Sequence, residues 1–163
     1  MKKVISLKVQ NLPGVLSHIA GLLASRAYNV DSLTVGRTDD ERFSRMTIVV
    51  DVDPKKVLQV ERQLQKLVTV VQLANLSNVP HVERELALIR VAAEPHERSG
   101  VLELTQIFRG SIIDVAPQSL LIELSGNSAK LDAFVEALQP YKIVNFTRSG
   151  CIAAPRGDKE LKK

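Results

Sequence analysis

The sequence predicts an α+β protein in which the order strand, helix, strand, strand, helix, strand occurs twice. Apolar residues alternate with polar ones in the segments expected to be strands, and they recur every three or four residues in the segments between. This succession fills residues 1–77 and starts again at residue 81. The intervening stretch, Ser77-Asn78-Val79-Pro80, is polar and contains a proline, as is typical of a linker.

Residues 1–77 are predicted to form the first domain. Ile5, Leu7 and Val9 alternate with polar neighbours, which indicates a first strand, and the segment after Pro13-Gly14 has apolar residues at helical spacing. Asp53-Pro54 indicates the start of a second helix, because aspartate caps helices and proline is tolerated in a first turn. The other strands are predicted around Val30, Leu33 and Val35, around Met46, Ile48, Val50 and Val52, and over residues 68–76.

Residues 81–163 are predicted to repeat this order in a second domain that ends in a basic tail. A strand over residues 86–91 precedes a helix that is expected to end at Gly110 in a left-handed conformation. Asn127 is expected to cap the second helix. The remaining strands are predicted at residues 112–115, 120–124 and 143–146. Two such copies in tandem define two ferredoxin-like βαββαβ domains, each an antiparallel sheet with two helices on one face.

The size of these domains bears on oligomeric state. The chain of 163 residues is 45% hydrophobic and 25% charged, which is typical of a folded globular protein. Each predicted domain has only about 70–75 residues, and a core of this size is often marginal without a partner. We therefore expect the sheet edges or helices of two chains to pack together, which predicts at least a dimer.

The residues that could carry chemistry form no catalytic or metal-binding motif. The three histidines, His18, His81 and His96, lack ligand spacing to one another. The single cysteine, Cys151, allows no internal disulfide, which fits a reducing cytoplasm, and it is interpreted as a small packed residue. Glu85, two residues after another glutamate, is interpreted as part of a charge pair on an edge strand.

Nucleic acid and membrane are not predicted as partners. No apolar run is long enough to cross a bilayer, and acids such as Asp39, Asp40 and Glu41 interrupt the basic residues, which a nucleic-acid binder would concentrate. RNA-recognition modules with this fold stack bases on aromatic residues, but the aromatic content here is 4%. A transcription regulator would need a helix-turn-helix or a basic arm, and a small enzyme would need a convergent polar cluster; neither is evident.

The strongest local signal is the loop Asn11-Leu12-Pro13-Gly14-Val15-Leu16, which joins the first strand to the first helix. A helix N-terminus offers unpaired N–H groups and a favourable dipole to an anion such as a carboxylate. Gly14 lets a ligand approach the backbone closely, and Asn11 carries both a donor and an acceptor for a ligand with an ammonium and a carboxylate. The alternative is an ordinary strand-to-helix turn, because Pro-Gly is common in such turns.

This loop resembles the ligand loop of an ACT domain, a module that senses amino acids. Nearly the whole chain resembles the small regulatory subunit of bacterial acetohydroxyacid synthase, also called acetolactate synthase. The resemblance depends on the order and spacing of many short strings across residues 1–159. These strings are residues 28–35, 44–48, 63–67, 81–86, 108–115, 130–134, 148–150 and 156–159.

The resemblance implies a non-catalytic partner of a larger catalytic subunit in the biosynthesis of valine, isoleucine and leucine. That large subunit is expected to carry thiamine diphosphate, Mg²⁺ and FAD and to condense pyruvate with a second 2-oxo acid, while no cofactor is expected in this chain. The small subunit is expected to activate the large one and to confer feedback inhibition by valine. Leucine and isoleucine are alternative effectors, because one methylene changes binding in an apolar pocket by only about 1–3 kcal/mol.

The resemblance also implies where the effector binds. In the family, ACT domains pair edge to edge in a homodimer, and valine lies between the two chains. Carried over to this sequence, the loop residues are Asn11, Leu12, Pro13, Gly14, Val15 and Leu16, and the facing residues of the partner are Asn29, Val30 and Val35. Pro13 has no N–H, so the carboxylate is expected to bind the N–H groups of Gly14, Val15 and Leu16.

Overall fold

The computed structural model describes residues 2–157 of the chain. The first half contains β1 (Lys2–Gln10), α1 (Val15–Ser25), β2 (Asn29–Arg37), β3 (Phe43–Asp51), α2 (Val57–Gln65) and β4 (Val70–Asn75). The second half contains β5 (His81–Ala92), α3 (Arg98–Ile107), β6 (Ser111–Ala116), β7 (Ser119–Gly126), α4 (Ser128–Ala137), β8 (Ile143–Arg148) and β9 (Ile152–Pro155). Within this described part, no helix is long and apolar enough to cross a membrane.

The first compact unit comprises residues 2–82 and 151–157 of the described chain. Its four antiparallel strands are hydrogen-bonded in the order β2-β3-β1-β4. Both α1 and α2 pack on one face, because every second residue of β1 and β3 faces the apolar stripes of the helices. The core includes the buried residues Ile5, Leu7, Val9, Val15, Ile19, Leu23, Met46, Ile48, Val50, Val57, Val60 and Leu64.

The second compact unit comprises residues 83–150. Its antiparallel strands follow the order β6-β7-β5-β8, and α3 and α4 cover one face. The rings of Phe108 and Phe134 meet at a centroid distance of 5.1 Å within its core. The core includes Ala87, Ile89, Val91, Val101, Leu120, Ile122, Leu124, Leu131, Phe134 and Leu138. Two βαββαβ units in tandem confirm the predicted fold class.

The structure contains the side-chain caps on which two of the predicted helix starts depend. The Asn127 Oδ1 atom accepts a hydrogen bond from the Lys130 N–H at 2.9 Å, which confirms the cap of α4. The Asp53 Oδ1 atom accepts one from the Lys55 N–H at 2.9 Å. The chain then makes a 3₁₀ turn over Pro54–Lys56 before α2 begins. The start of α2 therefore has two parts, a tighter 3₁₀ turn at the proline and then the α-helix itself.

The end of α3 departs from the prediction. The left-handed residue is Arg109, with a φ of 55°, and not Gly110. The Gly110 N–H donates to the carbonyl of Thr105 at 2.8 Å and so closes the last turn. A Cβ at Gly110 would lie 3.1 Å from the carbonyl oxygen of Glu123. A residue without a Cβ is thus favoured at position 110 because β7 passes close to it, and not because the backbone there has a positive φ.

The C-terminal segment also departs from the prediction, which assigns everything from residue 81 onward to the second domain. Residues 151–157 belong to the first unit. The Cys151 residue is only 5% exposed and packs with Val4, Val49 and Leu76, which confirms its interpretation as a packed residue. Apolar burial therefore returns this segment to the first sheet. The end of the predicted basic tail, residues 158–163, lies outside the described residues.

Glu85 lies on a central strand, since β5 is between β7 and β8, so its interpretation as an edge-strand residue is wrong. Glu85 is only 8% exposed, and its carboxylate accepts hydrogen bonds from Nη2 and Nε of Arg148. The same guanidinium donates to Asp132 at 2.8 Å and to Ser128 at 2.9 Å. These bonds compensate the desolvation of the Glu85 carboxylate.

Replacing Arg148 by alanine is expected to lower the free energy of unfolding of the second unit by about 2 kcal/mol, because Glu85 would lose its cation. A matched control is Arg84→Ala, an exposed arginine that donates to the backbone carbonyl of Glu83. The control should change stability by less than about 0.5 kcal/mol. Urea unfolding followed by circular dichroism measures both. Equal effects of the two substitutions would contradict the role given to the Arg148–Glu85 pair.

Candidate functional site

The predicted ligand loop has the backbone geometry of an open helix start. Gly14 is the N-cap residue of α1 and has a φ of 85°, in the left-handed region that favours glycine. A Cβ built on Gly14 would meet no atom within 4 Å. The space beside the loop is therefore open within the chain, and glycine is required by the backbone conformation.

The N–H groups at this helix start are only partly used. The first intrahelical bond runs from the His18 N–H to the Gly14 carbonyl at 2.9 Å, so the N–H groups of Leu16 and Ser17 precede the helical ladder. The Val15 N–H makes a long bond of 3.4 Å to the Leu12 carbonyl. A carboxylate at this end would find Leu16 and Ser17 more available than Val15. Ser17 is thus an additional donor that the sequence-based set does not contain.

Asn11 is oriented by the turn between β2 and β3. Its backbone N–H donates to the carbonyl of Arg42 at 2.8 Å, and its side-chain amide nitrogen donates to the carbonyl of Glu41 at 2.9 Å. Because a carbonyl can only accept, the side-chain atom that faces Glu41 must be the nitrogen. The amide oxygen is left to accept from a ligand ammonium, and the second N–H of the amide nitrogen is left to donate to a ligand carboxylate.

The turn that holds Asn11 is itself stabilised by charge. The Arg42 guanidinium binds both carboxylate oxygens of Asp40, with Nη2 2.7 Å from Oδ2 and Nε 2.9 Å from Oδ1. The Arg42 N–H also donates to Oδ1 at 3.0 Å. The side-chain hydrogen bonds from Arg42, followed by that backbone bond, lower the pKa of Asp40 to about 2. The turn-prone pair Asp39-Asp40 predicts a turn before β3, but the contact of Asp40 with Arg42 is not predicted from the sequence.

The side chains of the predicted site residues fall into two groups. Leu12, Leu16 and Val35 are about half exposed, at 57%, 48% and 47%. Val15 is buried in the core, and Val30 packs against it. The exposed group could contact an apolar ligand or a second chain, whereas Val15 can offer a ligand only its backbone.

Strand register shows which of these residues share one end of the sheet. Arg37 pairs with Ser44 and Gln10 pairs with Phe43, so the end of β2 and the loop that follows β1 lie at the same end of the sheet, with β3 between them. Asn29 pairs with Asp51 at the opposite end. A strand rises about 3.3 Å per residue, which separates Asn29 from the loop end of β2 by roughly 25 Å. The structure therefore places Asn29 and Val30 at the end opposite the loop, while Val35 lies level with Leu7, near the middle of β1.

Comparison with known proteins covers both halves of the chain. Residues 84–157 match the family model described as the small subunit of acetolactate synthase, and residues 5–72 match the AHAS small subunit-like ACT domain. The chain belongs to the acetolactate synthase small-subunit family.

Full-length relatives agree with this assignment. The probable acetolactate synthase small subunit of Archaeoglobus fulgidus is 45% identical over 98% of this chain and 100% of the relative. The isozyme 3 small subunit of Escherichia coli is 44% identical over 99% and 100%. A crystal structure of the small subunit from Thermotoga maritima superposes with a TM-score of 0.88 at 36% identity, covering 98% of this chain and 99% of the other.

The described residues of this small subunit contain a surface groove and no side-chain cluster suited to a metal ion. Among residues 2–157, no three histidine, cysteine, aspartate or glutamate side chains are placed to hold a metal ion. A shallow groove runs along α2, lined by Lys55, Leu58, Gln59, Arg62, Gln63, Gln65 and Lys66. None of the predicted site residues lies in it. The loop end of the first sheet therefore remains the candidate site.

The substitution Arg42→Ala is expected to raise the pKa of Asp40 from about 2 part of the way towards 3.8, because the side-chain hydrogen bonds from Arg42 would be lost while the backbone N–H bond remains. A carboxyl whose pKa is lower in the folded state than in the unfolded state stabilises the fold at pH values above its unfolded-state pKa. This stabilisation is lost as the pH falls through the folded-state pKa. Thermal stability of the wild type should therefore fall more steeply between pH 4 and pH 2 than that of the variant.

Carboxyl carbon NMR titration measures the Asp40 pKa directly. Arg26→Gln is the control, since Arg26 lies at the end of α1 and contributes nothing to the shift. An unchanged Asp40 pKa in the Arg42 variant would show that another group holds the turn.

Proposed function

We propose that this small subunit binds the catalytic large subunit of acetolactate synthase, raises its activity and makes it sensitive to feedback inhibition by valine. The condensation of two 2-oxo acids, with thiamine diphosphate, Mg²⁺ and FAD, is assigned to the large subunit. Membership of the small-subunit family and the ACT domain over residues 5–72 support a regulatory role in branched-chain amino acid biosynthesis.

The observation that carries the effector assignment is the open start of α1. An α-amino acid presents a carboxylate, an ammonium and a side chain, and the loop has one group suited to each. The N–H groups of Leu16 and Ser17 and the helix dipole favour the carboxylate. The free amide oxygen of Asn11 favours the ammonium. Exposed Leu12 offers apolar contact to an aliphatic side chain.

The second half of the effector site is proposed to come from another copy of the chain. β2 is an edge strand, and two such edges can pair antiparallel about a two-fold axis. In that arrangement the start of one β2 lies beside the end of the other. Asn29 and Val30 of one protomer would thereby approach the loop of its partner, and Val35 of the same β2 is proposed as a further contact.

Regulation then follows from linkage. Valine bound across paired β2 edges stabilises one arrangement of the two chains. It can change the activity of the large subunit only if it binds that arrangement more tightly than the other. Leucine and isoleucine differ from valine by one methylene, which is worth only about 1–3 kcal/mol in an apolar pocket. We therefore expect valine to bind best and the two larger amino acids to compete measurably.

The substitution Gly14→Asp is expected to weaken valine binding at least tenfold for two reasons. Any side chain strains the left-handed backbone of the loop, and a carboxylate would stand beside that of the ligand, where like charges repel. Activation of the large subunit in the absence of valine should be retained. Isothermal titration of the small subunit and inhibition of the reconstituted enzyme measure the two effects.

Gly21→Asp is the matched control for charge, since Gly21 is an exposed residue of α1 with open space around it and no positive φ. The control should keep valine sensitivity. Full inhibition of the enzyme that contains the Gly14 variant would refute the effector site.

The substitution Val35→Lys is expected to weaken the homodimer, because a charge on an edge strand opposes pairing with a second strand. Val71→Lys places the same charge on β4, the opposite edge of the same sheet, where Val71 is also exposed. Sedimentation velocity should show dissociation at micromolar concentration for the first variant and not for the second. Dissociation of the Val71 variant alone would move the proposed interface to β4.

A further inference from the structure

The segment of residues 151–157, here termed the C-terminal strap, lies on the face of the first sheet that α1 and α2 leave uncovered. Ile5 and Ile48 point towards the helices, so their neighbours Val4 and Val49 point to the opposite face. There they pack with Cys151. Both faces of the middle of this sheet are therefore buried, one by helices and the other in part by the strap.

Two polar side chains of β2 bind the backbone of the strap. The Thr34 hydroxyl donates to the carbonyl of Cys151 at 2.6 Å, while its distance to the Thr47 carbonyl is 3.5 Å. The Cys151 N–H donates to the Ser32 hydroxyl oxygen at 2.9 Å. Both backbone groups of one strap residue are thus held by alternate residues of a single strand.

These hydrogen bonds lie where β2 changes register. The pairing of β2 with β3 shifts between Val30 and Ser32, so an irregularity separates the first two residues of the strand from the rest. Such irregularities bend a strand and re-aim the side chains next to them. Ser32 is the first residue after the shift, and Asn29 and Val30 lie just before it. The strap therefore binds β2 directly after the register shift, and this shift sets the direction of Asn29 and Val30.

The strap is also fixed at its far end. The Arg156 N–H donates to the carbonyl of Pro80 at 2.9 Å, beyond the end of β4. The Val4 N–H donates to the Ser77 hydroxyl at 2.8 Å in the same region. The strap thus connects edge strand β2 to the connection that follows β4. A displacement of β2 relative to β1 would have to break the bonds at Cys151 or move the strap.

We propose that Ser32 and Thr34 are positioning residues that set the start of β2 for the effector, and that the C-terminal strap responds to effector occupancy. This inference rests on the proposed function, since valine is taken to contact Asn29 and Val30 across the β2 edges. Effector binding and strap docking favour the same position of β2. Each therefore strengthens the other by the same factor, as linkage requires.

The first arm of the test uses no effector. Thr34→Val keeps the shape of the side chain and removes the hydroxyl, while Thr34→Ser keeps the hydroxyl. Hydrogen exchange of the full chain should accelerate over residues 29–34 and 151–155 in the valine variant and stay near wild type in the serine variant. Thr147→Val, at an exposed position of β8 in the second unit, is the control. Unchanged exchange in Thr34→Val would overturn the positioning role.

The second arm measures inhibition of the reconstituted enzyme by valine. The half-inhibitory valine concentration should rise about fivefold or more in Thr34→Val and return in Thr34→Ser, with activation at zero valine unchanged. A merely structural residue would lower activation and valine response together, and that result would overturn the proposal.

The two arms also separate the proposal from the function on which it rests. A wild-type protein that activates the large subunit without any response to valine would refute the effector assignment and the proposed response of the strap. The exchange arm would still decide whether the hydroxyl of Thr34 positions β2.

Discussion

The central strand β1 is buried on both of its faces, and the architecture of the first unit depends on this. Ile5 and Leu7 pack under α1 and α2, while Val4 packs on the opposite face with Cys151. β1 also pairs with a strand on each side, so neither its edges nor its faces are free. Because the predicted ligand loop directly follows β1, the position of Gly14 is determined by a strand that is packed on both faces.

One strand, β2, carries three different interactions. Its free edge is available to a second chain, its first residues are proposed to contact the effector, and Ser32 and Thr34 bind the strap. An edge strand lacks one row of pairing partners and can shift more easily than β1. This gives a physical reason for a sensor to use its edge strand: it can move while the adjoining core remains packed.

Sequence periodicity was sufficient for the fold because each apolar set matches one face of one element. Ile5, Leu7 and Val9 are buried together, as alternation predicts, and Asn127 caps α4 through a contact three residues away. Gly110 shows the limit of such local rules. The residue before it, Arg109, takes the left-handed position, and the glycine instead lies close to the Glu123 carbonyl of β7, which is a tertiary contact.

The sequence by itself determined the two βαββαβ units, the loop that opens α1 and the resemblance to acetolactate synthase small subunits, because all of these follow from short-range spacing and residue type. Only the tertiary structure decided that Asn11 turns its amide nitrogen to Glu41, that Asn29 lies at the end of the sheet opposite the loop, and that Cys151 returns to the first sheet. The first and the last of these features join residues about 30 to 150 positions apart, and no local pattern encodes such distances.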